Sequence, residues 1–71
     1  MHPNEVPEGL LGLDLMALVG LPEAAAREQV EGLGGEWEGI QPGQGVNLDH
    51  RPRRVTGVVE LGLVVKVLGR G

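Results

Sequence analysis

A chain of 71 residues with no cysteine has no cross-link to lean on. Disulfide frameworks, thiolate zinc sites and thiol nucleophiles are excluded together. What remains is one domain with a small apolar core, because a short chain buries a smaller share of its surface than a long one. Trp37 is the only aromatic residue. It is expected in that core, where one large ring covers much area. The same scarcity of aromatics leaves no stacking platform for single-stranded nucleic acid, and a net charge of −4 argues against non-specific binding to any nucleic acid. No apolar run nears the roughly 18–20 residues that span a bilayer, so no membrane partner is expected. Met1-His2-Pro3-Asn4-Glu5 lacks a basic region followed by an apolar core, so no secretory leader is expected. A secreted and a cytoplasmic setting both fit.

Glycine punctuates the chain rather than forming a linker. Residues 1–16, rich in Pro, Gly and acids, read as a mostly irregular N-terminal arm with one helical turn near Asp14–Ala17. The domain proper runs over residues 17–71. A helix is predicted over Pro22–Leu33. Pro22 suits the first helical position, where its missing N–H is not needed, and Glu23 favours the positive end of the helix dipole. Ala26, Val30 and Leu33 share one face at helical spacing. Gly32, Gly34 and Gly35 supply the stop. Glu36–Ile40 reads as a short strand, Arg54–Glu60 as a second, and Leu63–Leu68 as a third after a turn at Leu61-Gly62. The fold class is therefore α+β, with one helix covering a small mixed sheet.

The stretch from Gly43 to Val55 is the least ordinary. It has no helical pattern and no hairpin dipeptide, and a loop this long in so small a domain is functional or disordered. In an extended chain Asn47 and Asp49 point one way and Leu48 the other. Leu48 is then an exposed apolar side chain. The alternative is a loop leucine folded into the core. Arg54 and Thr56 share one face of the next strand, from which Arg54 is within reach of the Asp49 carboxylate.

The sequence Leu18-Val19-Gly20, the helix, and then Pro42-Gly43-Gln44-x-Val46-x-Leu48-Asp49-x-Arg51-x-x-Arg54-Val55 resembles the potato type I serine protease inhibitors, in particular their small bacterial relatives. The resemblance covers roughly Ala17–Gly71. It implies an inhibitor of subtilisin- or chymotrypsin-like serine proteases, with a protease-binding loop of Val46, Asn47, Leu48, Asp49, His50 and Arg51. Leu48 would enter the primary specificity pocket and Leu48–Asp49 would be the reactive bond. Arg54 matches the arginine that braces the loop. Thr56 stands where a second bracing arginine is common, Arg53 is the candidate substitute but has the opposite strand parity, His50 replaces an aromatic residue, and the relatives' cysteine pair is missing.

No catalytic reading emerges, since the chain has neither serine nor cysteine and no suggestively spaced His–carboxylate pair. No enzyme activity, metal or cofactor is expected; His2 and His50 share no ligand spacing. A different class of function also fits the residues: a non-inhibitory binding or structural module. Leu10, Leu11, Leu13, Leu15 and Met16 either pack on the sheet or form an oligomer interface of that module. Monomer and homo-oligomer both remain open.

Overall fold

The first regular element, α1 (Glu8–Leu11), lies inside the arm expected to be irregular. The computed structural model describes residues 6–45 and 51–70. After α1 come a 3-10 turn at Leu15–Leu18, helix α2 (Glu23–Gly32), and strands β1 (Glu36–Ile40), β2 (Arg54–Glu60) and β3 (Leu63–Arg70). The α+β fold class is the observed one: a main helix packed on a three-stranded mixed sheet of order β1-β2-β3. β1 pairs with β2 in parallel and β2 with β3 antiparallel.

Local chemistry explains the boundaries. Asp14 accepts a hydrogen bond from the Met16 amide at 3.0 Å and opens the 3-10 turn. Pro22 precedes α2 rather than entering it, with extended ψ of 145°. It is drawn out of the helix by a bridge to Leu63 of β3. The helix ends as the glycines foretell. Gly34, at φ 85°, donates to the Glu31 carbonyl at 3.0 Å, and Gly35 donates to the Val30 carbonyl at 2.9 Å. This paired closure needs a left-handed residue just past the helix.

Leu10, Leu18, Ala26, Val30, Val55 and Val64 form the buried cluster, and Leu13, Leu15, Leu33, Trp37, Val59 and Val67 pack around it. Leu10 thus carries the arm into the core. Trp37 is half-buried, and its Nε1 donates to Glu23 Oε2 at 3.2 Å, tying β1 to the first turn of α2. A side chain at Gly57 would collide with the Trp37 ring, and one at Gly39 with Glu23. The odd-numbered residues of β1 and β2 therefore face α2, and the even-numbered ones face away.

The ladder between β2 and β3 slips twice. Thr56 and Gly57 face Gly69 and Val67, leaving Leu68 as an extra residue; Val58 and Val59 face Lys66 and Val64, leaving Val65 as another. These are β-bulges. β3 runs to Arg70, beyond the predicted end at Leu68.

The hairpin joining β2 to β3 turns on Leu61 (φ 54°) and Gly62 (φ 80°). Two successive positive φ values suit a two-residue hairpin, but the first position favours Asn, Asp or Gly. Leu61 is also 97% exposed, so no packing offsets its backbone strain. Leu61→Asn should raise stability by about 1 kcal/mol, seen as a thermal midpoint higher by roughly 4–8 °C. An unchanged or lower midpoint would contradict the strain argument.

Candidate functional site

Parallel pairing imposes a particular route on the chain. Glu36 lies beside Arg54 and Ile40 beside Val58. After Ile40 the chain must travel back along all of β1, about 13 Å at roughly 3.3 Å per residue, before β2 can start. Residues 41–53 make this return. Parallel strands need a crossover of about a dozen residues or more, usually a helix; here both described ends are reverse turns.

At the first stem, Gln44 donates its amide to the Gln41 carbonyl at 3.0 Å. The Gln41 amide donates to Gln44 Oε1 at 3.0 Å. Pro42 supplies the fixed φ of the second turn position, and Gly43, at φ 81°, the positive φ of the third. At the second stem, Arg54 donates its amide to the Arg51 carbonyl at 2.9 Å, again with proline in second place. The Glu36 amide donates to the Arg53 carbonyl at 2.8 Å, fastening this stem to the start of β1.

Two ion pairs join the second stem and its strand to β1. Arg51 Nη2 donates to Glu36 Oε1 at 3.0 Å, with both side chains about half exposed (51% each). Arg54 Nη1 stands 3.7 Å from Glu38 Oε2, with the arginine side chain 4% and the glutamate 32% exposed. Glu36, Glu38 and Arg54 lie on the sheet face turned away from α2. Thr56 is buried there too, next to Glu38 in the register. Arg53 is half-buried with the opposite parity.

Of the residues singled out in the sequence, Arg51, Arg53, Arg54 and Thr56 are thus gathered at the foot of the connector. Val46, Asn47, Leu48, Asp49 and His50 lie outside the described residues, and with them the proposed contact of Arg54 with Asp49. Sequence reading missed Glu36 and Glu38. Their spacing of two on a strand was the available signal, but only the parallel register reveals which arginines they meet.

Among the described residues, no group of three or more His, Asp or Glu side chains is placed to hold a metal ion, and no helix is long and apolar enough to cross a membrane. The scan against protein-family models gives no match, and neither does the search of curated proteins.

Proposed function

We propose that the protein inhibits serine proteases of subtilisin- or chymotrypsin-like specificity by offering residues 41–53 as a substrate mimic. Leu48 is the side chain that fills the primary pocket, and Leu48–Asp49 is the bond presented for attack. The observation that supports this reading is the parallel crossover, whose described ends are both reverse turns, with an arginine buried at its foot.

The mechanism follows from rigidity. A serine protease attacks the carbonyl of an extended substrate with an activated hydroxyl. A connector already held in shape loses little entropy on docking. If it stays held after attack, the freed amine remains beside the acyl group and re-forms the bond faster than water competes. Leucine suits a large apolar pocket and not one that demands a cation.

The test is titration of subtilisin and of chymotrypsin with the purified protein and with Leu48→Gly. Tight inhibition should weaken by about 2 kcal/mol, or roughly 30-fold, in the variant, as for the loss of an interface anchor. Failure of the unmodified protein to inhibit either enzyme at micromolar concentration would overturn the reading.

A second reading, a non-inhibitory binding module on the same scaffold, is favoured by the apolar side chains left in solvent: Leu61 at 97%, Met16 at 72% and Leu11 at 54% exposure. Limited proteolysis separates the two. An inhibitor is nicked slowly at Leu48–Asp49 and stays bound to the protease, whereas a module is cut at its glycines and released.

A further inference from the structure

We infer that Glu36 and Glu38 are positioning residues for the connector: by holding Arg51 and Arg54 they set how firmly its second stem, residues 51–53, is fastened to β1. The functional consequence rests on the inhibitor reading above, while the positioning role does not.

β1 is a fitting platform. Trp37 fastens it to α2 through Glu23, and its full length pairs with β2. Its two acids alternate with Trp37 and so fall on the face opposite α2, where the connector's second stem arrives. Other charges are worse placed to compete. Lys66 shares that face but belongs to β3, on the far side of β2. Arg27 is on α2, paired with Glu23 at 3.9 Å. Arg53 has the opposite parity to Arg54 and offers its backbone carbonyl to Glu36 instead.

The two grips differ in kind. The Arg51–Glu36 pair is half in water, so dissolved salt screens it and its worth is small. The Arg54–Glu38 pair is mostly shielded; screening reaches it less, and neutralising one partner is felt more. In an inhibitor these grips decide the fate of the attacked bond. A stem that drifts carries the leaving amine away, and religation gives way to hydrolysis.

The test is amide hydrogen exchange, read residue by residue by NMR on the free protein, for the unmodified chain, Glu36→Gln and Glu38→Gln. Glu→Gln keeps the side-chain shape, so folding is retained. Exchange at the two amides that fasten the second stem, those of Arg54 and Glu36, should rise about two- to fivefold in Glu36→Gln and about tenfold or more in Glu38→Gln. The β2–β3 ladder amides should stay within about twofold. At about 1 M NaCl the Glu36→Gln difference should vanish and most of the Glu38→Gln difference persist. Unchanged exchange at these two amides in both variants, or a rise shared equally with the ladder, would overturn the positioning role. Nicking of the connector by subtilisin, measured alongside, distinguishes the two readings. If the exchange pattern holds but the unmodified protein does not inhibit, the grips stand and the inhibitor reading falls. If it inhibits and neither variant alters exchange or nicking, the grips fall alone.

Discussion

Leu10→Ala should destabilise the protein by about 3 kcal/mol, although Leu10 belongs to a four-residue helix in an arm that looks dispensable. Leu10 has no exposed surface and belongs to the central cluster with Val30 and Val55. Its methyl groups lie against Gly35, close enough that even a Cβ there would crowd them. A helix this short has no stability of its own in water. It persists because Leu10 is buried, so truncation both opens a cavity and frees the arm. For a domain of this size the thermal midpoint should fall by roughly 12–24 °C. Leu11→Ala, one residue on and 54% exposed, is the control and should stay within about 0.5 kcal/mol. Equal effects of the two substitutions would mean that the arm does not enter the core as described.

The second large effect concerns Gly57. Strand propensity alone favours replacing a strand glycine, by about 0.5–1 kcal/mol for alanine, and valine is a better strand former still. The Trp37 ring reverses the sign. It occupies the space a side chain at position 57 would need, so the ring must turn away or β1 must part from β2. Turning the ring also breaks its hydrogen bond to Glu23. Overpacking of this kind costs about 1–3 kcal/mol, occasionally more. Gly57→Val is expected to lose about 2–3 kcal/mol net, read by denaturant unfolding. Combining it with Trp37→Leu should cost less than the sum of the two single changes, because the smaller side chain vacates the contested space. Strict additivity would sink this explanation.

These residues also mark what the sequence discloses and what it withholds. The bounds of β1 and β2 agree with the sequence reading, because β-branched and apolar residues are fenced there by glycines and by a hairpin turn. The α2 face of Ala26, Val30 and Leu33 was equally plain from its spacing. α1 was not legible: Glu8-Gly9-Leu10-Leu11 is too short to hold a helix by propensity alone, and tertiary burial of one leucine organises it. Pro22 carries a local signal for the first helical position, but a bridge to β3 moves it one residue outside. The site was half legible. Arg51 and Arg54 stand out as a basic cluster. Their partners Glu36 and Glu38 lie a whole connector away, and which charges meet depends on a register set by packing, not by neighbours in the chain.

The two slips in the β2–β3 ladder bear on how this protein meets copies of itself. A three-stranded sheet has two margins, and margins left open can recruit further strands into growing aggregates. On β1 that margin carries two glutamates. β3 carries Leu63, Val65, Val67 and Leu68 against a single lysine, a composition that invites recruitment. Part of its margin is already covered, since the Gly20 amide donates to the Val64 carbonyl at 2.7 Å and the Val64 amide to the Leu21 carbonyl at 2.8 Å; beyond Val64 its protection is geometric. With an extra residue at Val65 and another at Leu68, only Lys66–Val67 between them keeps a regular stride. An incoming straight strand would fall out of step almost at once, so β3 can keep its apolar side chains at the surface and still be a poor seed for fibres.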